Sequence, residues 1–126
     1  MQEKKIKNFT DLLIWQKGHK LVLEIYKITN KFPKEERFGL ADQLKRASVS
    51  ITSNVAEGFG RDKMNDKAHF YTISLGSVYE VQNQLLIAKD VGYLAEVECE
   101  QLLIECTEIS KMCSALIKKI RSVRKT

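Results

Sequence analysis

The segment that decides the fold reads QLKRASVSITSNVAEGFGR and runs from Gln43 to Arg61. Apolar residues recur in it and just before it at helical spacing, and small residues occupy the positions beside them. The apolar positions are Leu40, Leu44, Ala47, Ile51 and Val55, and the small ones are Ser48, Ser50, Ser53 and Ala56. Small side chains let a neighbouring backbone approach, and Gly58 and Gly60 are expected to end the helix. The segment predicts a closely packed helix and contains no recognisable arrangement of nucleophile, base or metal ligands.

The length and composition predict a single all-α domain over residues 1–126. A chain of 126 residues can bury a core without disulfides or metal ions. Its one proline, Pro33, and its six glycines are typical of long helices with short connections. No apolar run reaches the roughly 20 residues that span a bilayer, and the segment from Met1 to Lys7 lacks the apolar core of a secretion signal. We therefore expect a cytoplasmic protein with no membrane partner.

Hydrophobic periodicity predicts four helices, at about 11–31, 40–59, 65–91 and 96–122. Thr10 or Asp11 is expected to cap the first helix, and Asn65 or Asp66 the third. Gly92 suits a left-handed residue after the third helix. Short links make successive helices antiparallel, so the sequence predicts an up-down-up-down four-helix bundle.

The fourth helix has the most regular pattern, with apolar residues at alternating steps of three and four. These are Cys99, Leu102, Cys106, Ile109, Cys113, Leu116 and Ile120. The pattern indicates a coiled-coil-like seam in which the cysteines serve as small core residues. On one helix they lie about 10 Å apart, which is too far for a disulfide or for a shared metal ion. We therefore predict no metal site and no cofactor.

The first helix carries more apolar surface than one bundle core can bury. Leu12, Leu13, Ile14 and Trp15 are consecutive and sweep most of the way round the helix. Leu21 to Leu23 and Leu102 to Ile104 repeat this pattern. The excess favours an interface between copies of the chain, and Leu12, Leu13, Ile14 and Trp15 are expected to lie in that interface. The alternative is that loops or the start of the chain cover this surface.

The net charge of +5 makes backbone contacts with RNA or DNA a reasonable hypothesis. The end of the chain is rich in lysine and arginine and contains no acid, whereas the region around Arg46 is nearly balanced. The candidate contacts are Lys45, Arg46, Arg61, Lys63, Lys118, Lys119, Arg121, Arg124 and Lys125. The alternative for each of them is a solvated helix surface or a frayed tail.

The sequence contains little that indicates a catalytic site. Neither His19 nor His69 has a second metal ligand at helical spacing, and no glycine-rich phosphate loop is present. Glu57 and Glu80 lie near small residues that could leave them partly buried, so we predict an ion pair between Arg46 and one of them. The protein is expected not to be an enzyme.

Several segments that occur in one order resemble a known family. They are Phe9 to Lys17, Phe32 to Glu36, Gln43 to Ile51, Asn54 to Gly58 and Gly76 to Glu80. Together they resemble the four-helix-bundle proteins encoded in intervening sequences of bacterial large-subunit ribosomal RNA genes, from about Phe9 to Ile120. Relatives of that family include the accessory protein of diversity-generating retroelements, a basic pentamer that partners a reverse transcriptase and nucleic acid. The resemblance implies a homopentamer.

Two functions follow from these observations. The first is an oligomeric bundle that binds RNA or DNA through basic surfaces, alongside a nucleic-acid-processing protein. The second is a structural module that binds another protein and has no direct role with nucleic acid. Neutralising the basic residues would separate the two, because only the first function needs them.

Overall fold

The computed structural model describes residues 5–124 of the chain. This part contains four α-helices, two short 3-10 helices and no β-strand. The α-helices are α1 at Leu13–Thr29, α2 at Leu40–Phe59, α3 at Met64–Asp90 and α4 at Glu96–Arg124. The 3-10 helices are Phe9–Asp11, before α1, and Lys34–Glu36, between α1 and α2. The all-α prediction is therefore confirmed.

Each α-helix runs antiparallel to its neighbours in the chain. Side-chain contacts show the direction, because the end of α2 meets the start of α3 where Gly58 lies against the Tyr71 ring. Similarly, Lys17 near the start of α1 pairs with Glu108 in the second half of α4. α1 packs on α2 and α4, and α3 packs on α2 and α4, whereas the backbones of the two diagonal pairs stay further apart over residues 5–124. The helices thus form an up-down-up-down bundle, as the short connections predicted.

The helix starts differ from the predicted caps. Asn8, and neither Thr10 nor Asp11, forms the first cap, because its side chain accepts the Thr10 N–H at 3.2 Å. Asp11 completes a capping box with Asn8, and this box closes the 3-10 turn before α1 begins. α3 begins at Met64, ahead of both predicted caps, and Lys63 in the N-cap position makes no side-chain cap hydrogen bond.

α2 and α3 approach closely through small residues. The Ser74 hydroxyl donates to the Ile51 carbonyl across the interface at 2.8 Å, and both residues are fully buried. One turn away, the hydroxyls of Ser50 and Ser77 lie 2.8 Å apart. A buried hydroxyl needs a partner, so these bonds also select the register of the two helices. This outcome agrees with the close packing predicted for Gln43 to Arg61.

Gly58 has a different role from the predicted one. It lies inside α2, and Gly60 is the C-cap of that helix. A Cβ on Gly58 would lie 2.7 Å from the Tyr71 ring, which is buried. Glycine is therefore required at this position by the packing of α3, whereas Gly60 has an ordinary right-handed backbone conformation. Gly92 behaves as predicted, with a left-handed φ of 88° after α3.

The core runs along the whole bundle and includes the seam of α4. Cys99, Cys106 and Cys113 are all free and buried. Toward the end of α4, Ile117 enters the core while the predicted Leu116 is only half-buried. A straight helix turns about 20° less over seven residues than a strict heptad pattern requires, and this drift moves the buried position on by one residue.

A pair of glycine substitutions tests the close approach of α2 and α3. We expect Gly58→Ala to lower the free energy of unfolding by about 1–3 kcal/mol, because the new methyl group overlaps a ring that has no room to move. Gly76→Ala is the matched control, since a Cβ there meets nothing within 4 Å. In mid-helix it should raise the free energy of unfolding by about 0.5–1 kcal/mol. Urea denaturation measures both, and equal effects of the two variants would contradict this account of Gly58.

Candidate nucleic-acid interface

The antiparallel topology brings basic residues from three separate segments to one end of the bundle. The start of α1, the connection between α2 and α3, and the end of α4 all lie there. We call the exposed cations of these segments the basic end: Lys5, Lys7, Arg61, Lys63, Lys118, Lys119 and Arg121. Asp62 and Asp66 are exposed acids in the same region. Lys125 lies outside the described residues, as does the side chain of Arg124.

The end of α4 supplies the least compensated charges of this group. Among residues 5–124, no ion pair involves Lys118, Lys119 or Arg121. Lys118 and Arg121 border an open cleft of about 390 Å³ between α3 and α4, in which Thr72 and Ser114 add hydroxyls to an apolar wall of Leu75 and Ile117. Cations and hydroxyls around an open cleft are groups that bind phosphate oxygens.

Arg61 is held more firmly than the other cations of the basic end. Its Nη2 lies 3.0 Å from the Glu57 carboxylate, and its guanidinium carbon lies 4.7 Å from the centre of the Phe70 ring. The ion pair offsets part of its charge. Arg61 therefore presents a fixed guanidinium edge, while Lys63 beside it makes no ion pair within residues 5–124.

Lys67 is a structural residue that the sequence interpretation missed. Its ammonium group donates to the carbonyl oxygens of Gly58 at 3.1 Å and Phe59 at 2.9 Å. These are carbonyls at the end of α2, where a cation also stabilises the negative end of the helix dipole. The sequence indicates this role only through the position of Lys67 in the first turn of α3, just after the short connection from α2.

Lys45 and Arg46 do not join the basic end. Arg46 precedes Arg61 by 15 residues on or next to α2, which places their backbones about 22 Å apart at 1.5 Å per residue. The Lys45 ammonium lies 5.2 Å from the centre of the Tyr26 ring, and Arg46 Nε pairs with Asp42 at 2.9 Å. The structure thus separates Lys45 and Arg46 from the five described contacts at the basic end, which are Arg61, Lys63, Lys118, Lys119 and Arg121.

The predicted ion pair between Arg46 and Glu57 or Glu80 is wrong. Arg46 pairs with Asp42 and Glu57 pairs with Arg61, in each case one helical turn away. Glu57 and Glu80 are both exposed, so neither needs a buried partner. Pairs at this spacing form within one helix and need no register between helices, which explains why they replace the predicted pair.

The residues considered for catalysis have ordinary structural surroundings. His19 is exposed and stacks on Trp15 with ring centres 4.6 Å apart, and His69 is exposed beside Phe70. The Ser48 hydroxyl donates to the Lys45 carbonyl within α2. Residues 5–124 contain no cluster of three or more histidine, cysteine or acidic side chains arranged to hold a metal ion. Over the same residues, no helix is both long enough and apolar enough to cross a membrane.

The residues predicted for a subunit interface separate into core and surface. Ile14 is only 5% exposed and belongs to the bundle core, so its assignment to the interface is wrong. Leu12 and Trp15 pack against the core from its edge, whereas Leu13 is 57% exposed. The side chains of these four consecutive residues point in different directions, and only Ile14 points into the bundle core.

The cysteines are expected to be unreactive in the folded protein. Burial is the main cause that raises the pKa of Cys106 and of Cys113 to about 12, and burial raises the pKa of Cys99 too. Because the thiolate is the reactive form, an aromatic disulfide reagent should modify all three slowly in buffer and rapidly in about 8 M urea. Fast labelling in buffer would contradict the packing of the α4 seam.

Comparison with known proteins relates this geometry to a family. A crystal structure at 1.70 Å of a protein of unknown function from the S23 ribosomal protein family of Bacteroides thetaiotaomicron VPI-5482 has a similar fold. The TM-score is 0.76 at 22% identity, over 84% of this chain and 99% of that one. No curated protein matched the sequence.

A sequence profile described as 23S rRNA-intervening sequence protein matches residues 10–115. The match includes all of α1, α2 and α3 and most of α4. It agrees with the resemblance carried by the segments between Phe9 and Glu80. The chain therefore belongs to the 23S rRNA-intervening sequence protein family.

Proposed function

We propose that this protein is a non-enzymatic homo-oligomer that binds the backbone of RNA or DNA through its basic end. The observation that carries the proposal is the convergence of exposed cations from three segments on one end of an antiparallel bundle. A dense group of cations replaces the counterions of a phosphate backbone, and the release of those counterions favours binding.

The contacts of this interface are directed at phosphates and not at bases. The nearby aromatic residues that could stack on bases are engaged within the protein, because Tyr71 is buried and Phe70 is covered by Arg61. Phe59 is half-buried, with the Lys67 ammonium 5.8 Å from its ring centre. Lysine and arginine without exposed aromatic partners bind nucleic acid with strong salt dependence and little sequence preference.

Self-association strengthens this proposal. Large apolar side chains stay exposed on the outer sides of the bundle, among them Leu13 and Leu23 on α1 and Ile104 on α4. If copies associate through the sides of their bundles, their ends remain open, and a symmetric ring multiplies the cations that face one polyanion. The resemblance to pentameric relatives favours a homopentamer.

The proposed setting is the cytoplasm, with a nucleic-acid-processing protein as a further partner. Three free buried cysteines are in keeping with a reducing compartment. A protein that holds a nucleic-acid backbone without reading its bases needs a second component to carry out chemistry or to select sites.

The second candidate is a protein-protein interaction module without a nucleic-acid role. Phe38 in the connection before α2 is 86% exposed, and Val97 near the start of α4 is 77% exposed. Both lie at the end of the bundle opposite the basic end. Apolar side chains this exposed are typical of contacts with another protein.

A charge-neutralised variant tests the first candidate. In the triple variant Lys118→Gln, Lys119→Gln and Arg121→Gln, we expect much weaker binding to RNA and DNA at low salt. The slope of log affinity against log salt should shrink by about 2 for each subunit in contact, because about three phosphate contacts are lost. Fluorescence anisotropy at several salt concentrations, with labelled RNA and DNA of the same length, measures both quantities.

The matched control removes three cations from elsewhere, through Lys34→Gln, Lys45→Gln and Arg46→Gln. Net charge changes equally in the two variants, so only the position of the charges differs. The control should bind nearly as tightly as the natural protein. Equal losses in both variants would contradict a localised interface, and absence of binding by the natural protein at low salt would leave the interaction module as the function.

A mass measurement tests self-association. Light scattering after size exclusion should give a particle of about five copies for the natural chain. Leu13→Lys with Leu23→Lys should shift it toward the monomer, because burying two ammonium groups in an interface costs several kcal/mol. Asn83→Lys, at an exposed polar position on α3, is the control and should leave the mass unchanged. A single 14.5 kDa species for the natural chain would contradict the oligomer.

A further inference from the structure

Two glutamates face each other across the seam between α1 and α4. Glu24 belongs to α1 and Glu105 to α4, and both lie between the Lys17–Glu108 and Lys31–Glu98 ion pairs along the same seam. Their side chains come within hydrogen-bonding reach of one another. A hydrogen bond between two carboxyl groups requires a proton on one of them, because an ionised carboxylate only accepts. The pair is half-buried at the edge of the core.

The surroundings of Glu24 support a shared proton. Its Oε1 is closed off from solvent and has no N–H or O–H donor within the described residues. A buried carboxylate oxygen without a donor is costly, and a second negative charge facing it adds repulsion. A proton held on Glu105 would remove both costs, since it gives this oxygen a donor and leaves the pair with a single charge.

The other charged groups around the pair come from the same two helices. Lys20 on α1 lowers the pKa of Glu105, whereas burial, the hydrogen bond with Glu24 and the Glu24 charge raise it, in that order. The net result is a pKa of about 7, above the ordinary value of 4.5. Gln101 on α4, one turn before Glu105, also lowers the pKa of Glu105. Lys17, two turns before Glu24, and Glu108, one turn after Glu105, are paired with each other. Lys27 on α1 and Glu98 on α4 line the cleft beside Glu24.

We propose that Glu24 and Glu105 share one proton and form a pH-sensitive latch between α1 and α4. With the proton present, the carboxyl pair ties the two helices together. Without it, two carboxylates repel each other across the seam. Among the four helix pairs in contact, α1 and α4 pack least extensively, so a local repulsion has more effect there than between α2 and α3.

An open cleft lies next to the latch, at the place where a separation of α1 from α4 would expose core residues. It has a volume of about 440 Å³ and is lined by Glu24, Ile28, Val97 and Leu102, among others. Val97 is exposed, whereas Ile28 and Leu102 belong to the core. Separation of the helices at this point would expose core residues to the cleft, and the protonated latch holds them covered.

The direction of the pH effect follows from proton linkage. The folded protein holds the proton of Glu105 up to a pH of about 7, whereas the unfolded chain releases it near 4.5. Between these values the folded state binds more protons than the unfolded state, so stability falls as pH rises through this window. The contribution of the latch is complete below about 4.5 and is lost above about 7.

The test compares Glu105→Gln with Glu100→Gln, an exposed control on the same helix that removes the same charge. The glutamine amide at position 105 donates to Glu24 without a titrating proton. Relative to the natural protein, we expect the Tm of Glu105→Gln to be several degrees higher at about pH 8 and nearly equal at about pH 5. The control should differ from the natural protein by the same amount at both values, and such behaviour from Glu105→Gln would overturn the latch.

A second measurement needs no variant to fold. In the natural protein, the side-chain carboxyl ¹³C signal of Glu105 should titrate with a midpoint near 7. A midpoint near 4.5 for Glu105 would overturn the proposal.

Discussion

The close approach of α2 and α3 is the constraint on which the rest of the structure depends. Gly58 makes room for the Tyr71 ring, and the Ser74 hydroxyl finds its acceptor on the α2 backbone. These contacts leave one register for the two central helices. α1 and α4 then pack against this pair and against each other. The interface that is most closely packed thus sets the positions of the chain ends and of the connections, where the charges lie.

The charge distribution follows from this arrangement. α4 begins with acids, Glu96 and Glu98 in its first turn, and ends with bases, which complements its helix dipole. Because α4 returns beside α3, its basic end meets the connection that carries Arg61 and Lys63. One end of the bundle therefore becomes basic, while the opposite end holds the acids of α4 and the contact of Glu36 with the Tyr93 hydroxyl at 2.9 Å.

Membership of the 23S rRNA-intervening sequence protein family and the similar bundle from Bacteroides establish the fold. The two proposals use different parts of it. Phosphate binding would use one end of the bundle, where the topology brings lysine and arginine side chains together. The latch uses a side seam, where two carboxyls meet because α1 and α4 lie next to each other. The proposed effect of pH is thus separate in space from the proposed phosphate contacts.

The sequence by itself determined the four helices, their antiparallel order and the α4 seam, because periodicity and short connections are local properties. Its small residues also indicated close packing around Ile51. Only the tertiary structure decided which residues of each apolar run enter the core, as with Ile14 inside and Leu13 outside. It also decided that Arg61 and Lys118 share an end of the bundle, and that Glu24 on α1 faces Glu105 on α4. Such contacts join residues far apart in the chain, and the angle at which helices pack, which no local pattern encodes, determines them.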